Sequence, residues 1–352
     1  MSVNVSTPIA RRARLTAIGA ILTAAVLVTV LAGISLGPAG VSLSDAAAAL
    51  LRPIADRLGV DVPGATQAGT ALIWTIRLPR VVLAGLVGAS LAVAGVVMQA
   101  VFRNPLAEPG ITGVSSGAAA AAVLVIVTGA ASAAPWLLPA GAFAGAILAV
   151  FFVQLVSGLR GGGGATLLLV GIALNAFLGA IISAAIANAP SSDDAQQAMF
   201  WLNGDLTATT WGDVRLAVGP ILVGVALLMF SVPELNLFLL SDDQAAASGM
   251  RTTATRHIVL ALAALVTAAG VAVTGVISFV GLVVPHAVRL VLGPDHRILL
   301  PTAMASGAVF LMAADLVARN VFHPVVLQTG TITAVIGAPV LLALVLRDRQ
   351  VR

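Results

Sequence analysis

The chain of 352 residues contains no cysteine, no tyrosine and no lysine. Without cysteine it forms no disulfide and offers no thiolate to a metal ion. Without lysine it cannot build the phosphate-gripping loop of nucleotide hydrolases, whose lysine reaches the nucleotide phosphates. The glycine run Gly161–Gly164 therefore reads as a flexible loop, and any work driven by ATP falls to a partner. Charge is scarce as well: 9% of residues are charged, against about 25% in a soluble domain. What is present is apolar, 59% of the residues, with a mean hydropathy of +1.08. This is the composition of a polytopic membrane protein, with no polar stretch long enough to form a separate catalytic domain. All 18 basic residues are arginine, and the net charge of +4 bears on membrane orientation rather than on nucleic acid.

Residues 1–13 are polar and end on Arg11 and Arg12, with Arg14 just beyond. The apolar run that follows, to about Ile34, is long for a signal peptide and reads as a first membrane helix. Residues 35–76 hold a short amphipathic segment, with Ser44 as its N-cap, and a Pro/Gly loop. A second run, Val81–Phe102, is flanked by Arg77 and Arg80 on one side and by Arg103-Asn104-Pro105 and a Gly/Pro/Ser-rich turn on the other. Further apolar runs lie at about 113–129, 136–157, 165–187, 214–232, 257–277, 279–292, 299–318 and 330–346, which makes ten. The run at 279–292 is short enough to be re-entrant. Counted as a span, it puts both termini in one compartment with Arg103, Arg160, Arg251, Arg256, Arg297, Arg347, Arg349 and Arg352. Arg52, Arg57, Arg77, Arg80, Arg215 and Arg319 fall on the other side. That excess places the termini in the cytoplasm. The expected architecture is all-α, one membrane domain over 1–352 with its core at 14–346 and a cytoplasmic loop at 233–256.

Small residues crowd the helices, as close backbone packing in lipid requires. Ala92-Val93, Gly95-Val96 and Pro105 recur at Ala272-Val273, Gly275-Val276 and Pro285, an offset of 180 that suggests an inverted repeat. Polar groups at membrane depth are costly and mark paths, gates or helix contacts. Gln99, Gln154, Asn175, His286, Arg289 and Asp315 are the candidates here. Asp315 stands four residues before Arg319, a spacing that pairs them on one helix face. The four histidines show no metal-ligand spacing, and no metal site is expected. The longest polar interruption that must face the cytoplasm, Pro233–His257, reads as a turn, a short helix with Asp242 and Asp243 at its start, and a stop at Gly249. A capped helix in a loop that merely joined two spans would be superfluous, so it is expected to dock a partner.

Several motifs carry a resemblance to a known family. They are RLPR at Arg77–Arg80, MQAVFRNPLAEPGITGVSSGA at Met98–Ala118, FVGLVVPHAVRLVLGPDHRILLP at Phe279–Pro301, DLVAR at Asp315–Arg319 and TGTITAVIGAP at Thr329–Pro339. In this order they resemble the FecCD family, permease subunits of ABC importers for iron-siderophore, haem and cobalamin, and the likeness runs from about residue 14 to 346. It implies a ten-helix permease that dimerises around a central path, with two ATPase subunits inside and a substrate-binding protein outside. Cofactors are not expected on this chain, ATP and magnesium being held by the ATPase. Outward-facing arginines that engage the binding protein would be Arg77, Arg80 and Arg319. A coupling helix that inserts into the ATPase would comprise Leu240, Ser241, Asp242, Asp243, Gln244, Ala245, Gly249, Met250 and Arg251. Asn175 on the fifth helix would line the path; Met98 and Gln99 are further path candidates that face either it or only the neighbouring helices. The sequence departs from the family pattern at Ser241-Asp242, where Gly-Glu is usual, at Ala246 and Ser248, and at Gln328, where Pro is usual. Whether the dimer is of one chain or of two homologues stays open. Two rivals are an ion-gradient-driven secondary transporter, for which Asp315 is the sole candidate carboxylate, and an intramembrane enzyme, for which His286 has no paired nucleophile or acid.

Overall fold

A computed structural model of the chain describes residues 8–37, 41–59, 66–159, 163–322 and 325–349. Among these every regular element is a helix. The first polar residues, Arg160 with the first two glycines of its loop, His323 and the last three residues lie outside the described set.

Helix α1 spans Pro8–Ser35, and α2 spans Leu43–Leu58. The cap of α2 is Ser42 and not Ser44: the Ser42 hydroxyl accepts from the Asp45 amide, which leaves Ser44 inside the first turn. α3 (Gln67–Ala71), a six-residue π-helical stretch (Leu72–Arg77) and α4 (Leu78–Val101) run on without a break. α5 (Val114–Val127), the single-turn α6 (Ala130–Ala133), α7 (Leu137–Gly158) and α8 (Gly164–Ala187) follow. After α9 (Ser192–Leu202) come α10 (Trp211–Phe230), α11 (Val232–Leu237) and α12 (Asp242–Ala247). The last four are α13 (Thr252–Thr274), α14 (Val280–Leu292), α15 (His296–Asn320) and α16 (Thr329–Arg349).

Eight of these stretches are long and apolar enough to cross a membrane; α5 and α14 are apolar but shorter. Together they account for the ten apolar runs. At 1.5 Å per residue, α5 and α14 reach only about 20 Å, against a bilayer core of about 30 Å. The remaining depth is covered by non-helical chain. Residues 102–113 leave the end of α4 and fold back between helices. There Gly171, in the first half of α8, sits against the Ile111 carbonyl, and Asn175 Nδ2 donates to the Gly110 carbonyl at 3.1 Å. α5 thus begins level with the middle of α8. Residues 275–279 do the same before α14, which begins against the middle of α4, where Gly281 meets the Leu91 carbonyl. The second half of the polar turn read after Arg103 from the sequence, residues 107–112, is therefore inside the bundle, while Asn104, Pro105 and Leu106 stay exposed. Irregular backbone survives at such depth only where protein covers it.

The five apolar helices α1, α4, α5, α7 and α8 are matched in order by α10, α13, α14, α15 and α16, with the short helix third in each set. Five is odd, so two such sets in succession run in opposite senses through the bundle, as in an inverted repeat. The residue echo at an offset of 180 does not carry it. Gly95 lies inside α4, whereas its counterpart Gly275 lies beyond the end of α13.

α4 is the axis of the bundle, packed by α10, α13, α14 and α15; 78% of its apolar window is buried within the chain, against 11% for α8. Two glycine contacts set its distance from its neighbours. A Cβ on Gly88 would collide with the Gly307 carbonyl of α15, and one on Gly307 with the Gly88 carbonyl. A Cβ on Gly95 would likewise collide with the Gly281 carbonyl of α14. A backbone cannot move aside as a side chain can. Gly88→Val is accordingly expected to destabilise the fold by about 1–3 kcal/mol or more, read as a lower unfolding temperature and reduced folded yield. A variant that melts with the parent would show that α15 can retreat.

Candidate functional site

At one end of the bundle α1 and α15 end and α4 begins. Arg77, Arg80 and Arg319 meet there around Asp315, as their shared side in the sequence reading anticipates. Their orientation is another matter. Arg80 and Arg319 are each 6% exposed, Arg77 4% and Asp315 1%. Arg80 donates from Nε and Nη2 to Asp315 Oδ1 at 3.0 and 2.8 Å, and from Nε to Oδ2 at 3.0 Å. Arg319 Nε stands 3.2 Å from Asp315 Oδ2, and its Nη1 donates to the Gly33 carbonyl. The Thr329 hydroxyl donates to Asp315 Oδ1 at 3.0 Å and ties in the start of α16. Arg77 Nη1 donates to the Ile34 and Ser35 carbonyls at 2.6 and 2.7 Å, where a cation suits the negative end of α1. These guanidiniums are turned inward onto internal acceptors, which corrects the expectation of arginines facing out toward a partner. The π-helical stretch ends at Arg77, and such insertions re-aim the residues around them.

The opposite end carries α12. Ser241 caps it, accepting from the Gln244 amide while the Gln244 side chain accepts from the Ser241 amide. At the other terminus Gly249 adopts φ 87°; its amide reaches the Ala246 carbonyl, and the Met250 amide the Ala245 carbonyl. The paired bonds are a Schellman closure, so a six-residue helix is sealed at both ends by local chemistry. Leu239, Leu240, Asp243, Gln244 and Arg251 are exposed, and Ala245 is buried as the foot of the helix.

Two arginines, one at the end of α4 and one on the following helix α13, hold its first residue. Arg103, just past α4, donates from Nη2 to Asp242 Oδ1 at 2.6 Å and from Nε to the Phe238 carbonyl at 2.8 Å. Arg256 of α13 donates from Nη2 to Asp242 Oδ2 at 3.0 Å and lies 5.8 Å from the Phe238 ring centroid. Arg103 is held at φ 47°, a conformation rare for a side-chain-bearing residue, and it places the guanidinium beneath α12. Desolvation by burial tends to raise the Asp242 carboxyl, but the hydrogen bonds and charges of Arg256 and Arg103 outweigh it and hold it below the usual range. Beside this clamp, Asn236 of α11 accepts from the His296 amide at 2.9 Å and donates to Asp295 at 3.2 Å, which fastens the same loop to α15.

The residues expected on a path separate. Met98 and Gln99 are 1% and 3% exposed, and Gln99 Nε2 donates to the Leu282 carbonyl at 3.1 Å. They face neighbouring helices of their own chain, because α4 is surrounded on all sides. Asn175 lies on α8, most of whose surface the chain leaves uncovered, with Leu169, Ile172 and Phe177 all exposed. Of the other polar candidates His286 is buried, whereas Gln154 and Arg289 are partly buried. Sequence reading missed the Arg103 and Arg256 grip on Asp242, whose partners stand 139 and 14 residues away. It also missed Glu108, which the folded-back stretch carries in among the helices. The signal available for Glu108 was the shortness of the apolar run after it.

Ten apolar helices, two of them starting inside the bundle, with a capped surface helix tied to the central span, define a multi-pass membrane transport protein. Residues 24–347 match the FecCD transport family, and the chain belongs to that family. It is 47% identical over 291 residues to the cobalamin import system permease protein of Halobacterium salinarum, across 82% of this chain and 77% of that one. To the hemin transport system permease protein of Yersinia pestis it is 41% identical over 292 residues, covering 80% and 85%. Among solved structures it matches an inward-facing conformation of a metal-chelate type ABC transporter at a TM-score of 0.80 and 30% identity, covering 93% of this chain and 97% of that one.

Proposed function

We propose that this chain is the substrate-translocating permease subunit of an ATP-driven importer for a metal chelate of the iron-siderophore, haem or cobalamin kind. It works by alternating access in the bacterial cytoplasmic membrane. The observation that carries this reading is α12, open to solvent on one side and fastened by Asp242 to the ends of α4 and α13 on the other. A cytoplasmic ATPase subunit seats on its exposed face, and the clamp passes the displacement to the central helices. This puts the α12 end and both termini in the cytoplasm, where Arg103, Arg251, Arg256 and Arg297 satisfy the positive-inside preference. ATP and magnesium belong to the ATPase.

The uncovered face of α8 meets a second permease chain, identical or homologous, with Asn175 beside the path between them. The binding protein docks over the end that holds Arg77, Arg80 and Arg319. These three act from beneath, by fixing the ends of α1, α4 and α15 that form the docking face.

Purified chain alone is expected to hydrolyse no ATP, and uptake into proteoliposomes to need a co-purified ATPase. The ion-gradient alternative has lost Asp315, which is committed to two arginines, but Glu108 offers it another carboxylate among the helices. Uptake by this chain alone under an ion gradient would decide for that alternative.

A further inference from the structure

Glu108 sits in the stretch that folds back between α4 and α5. It is partly buried, and it faces a small cavity of about 30 Å³, roomy enough to hold water. Every element around that cavity contributes a neutral group: Leu91 from α4, Ser115 from α5, Thr267 from α13, Ser278 and Phe279 from the break, and Gly281 from α14. Among the described residues no arginine, histidine or second acid faces it. Leu91 and Thr267 are interior residues of α4 and α13, so the carboxyl lies among the helices and away from their ends.

A carboxylate so placed, with no cation beside it, is expensive to keep ionised. The first turns of α5 and α14 begin nearby, and their partial positive charge favours the ionised form. That partial charge offsets only a fraction of what dehydrating a full charge costs. We propose that Glu108 is a proton-binding site, held as the neutral carboxylic acid at neutral pH where the broken helices of the two halves meet. The Ser115 and Ser278 hydroxyls and one water can satisfy both the acid's donor and its acceptors. Any opening that admitted bulk water would release the proton, so the charge of this seam follows its hydration.

The inference rests on the fold and not on the transport reading. It is tested on the full-length permease in lipid nanodiscs, by infrared titration and thermal unfolding without any ATPase. The expected result is a protonated-carboxyl carbonyl band at neutral pH that disappears in Glu108→Gln and shifts in Glu108→Asp. A raised carboxyl pKa stabilises the fold at low pH and loses that stability as pH rises. The parent should therefore match Glu108→Gln in melting temperature only below the ordinary glutamate range, and fall progressively below it as pH rises to neutral, because the unfolded chain ionises this carboxyl first. No such band, or a band untouched by both substitutions, would overturn the proposal. So would a Glu108→Gln variant that melts well below the parent at neutral pH, or a parent stabilised specifically by sodium, since each requires the ionised form. Failure here leaves the ATPase requirement standing, and failure of that requirement leaves the proton site standing.

Discussion

Replacing Asp315 with alanine is expected to destabilise the permease by about 3–5 kcal/mol, the usual consequence of removing one partner from a buried ion pair. The size follows from what the carboxylate holds. Its two oxygens receive both donating nitrogens of Arg80 and the Thr329 hydroxyl, with the Arg319 guanidinium paired to it at 3.2 Å, at a residue 1% exposed. Truncation strands two buried cations side by side and frees the start of α16, so repulsion adds to lost attraction. Asparagine keeps the shape without the charge and should fall in between. Replacing Arg80, Asp315 and Arg319 together by leucine and methionine should be milder than Asp315→Ala, because no charge is then left unpaired. The measurement is the unfolding transition of the purified chain in nanodiscs, together with the yield of folded protein. An Asp315→Ala variant that unfolds with the parent would show that water already reaches the cluster. Reversing the charge at Arg80 would likewise break the fold before it bore on docking.

Substituting Asp242 with alanine should leave the ATPase bound and hydrolysing while uptake per ATP falls on the order of tenfold, within the span of ordinary coupling energies. Asp242 is the point at which α12 is tied to α4 through Arg103 and to α13 through Arg256. The caps at Ser241 and Gly249 do not depend on it, so the helix should persist as a docking surface that no longer moves the span beneath it. Half of the Asp242 side chain is exposed, so the loss of global stability should be small. Glutamate at 242 should retain coupling. The carboxyl is held below its usual range, so the clamp is present at neutral pH. It is lost only when pH falls below the ordinary aspartate range and Asp242 takes up a proton. Uptake and hydrolysis measured together in proteoliposomes decide the matter. Equal losses of both would make Asp242 a docking residue, and no loss would remove the clamp from the mechanism.

Much of this was legible in local patterns. The apolar runs anticipated the boundaries of most membrane helices to within a few residues, since a lipid-exposed helix must be apolar along its whole length. The α12 caps were legible too, because capping is a matter of neighbours: Ser241 and Gln244 three residues apart, then Gly249. Ser44 was misread for the same reason in reverse, as two serines two residues apart are equally eligible and only the backbone chooses Ser42. The short helix α9 carried no strong apolar period and was not anticipated.

Composition and local order by themselves determined that this is an all-helical membrane protein without a nucleotide-binding loop, with a capped helix exposed in one polar loop. The tertiary structure alone decided which way the arginines point, that Met98 and Gln99 are core residues, and that the Glu108 stretch runs among the helices. The physical reason is that burial and pairing at these places depend on residues far away in the chain. Asp315 is 235 positions from Arg80, and Leu282 is 183 positions from Gln99. A charge beside an apolar run has the same local pattern whether it ends in water or against a carboxylate delivered by another helix.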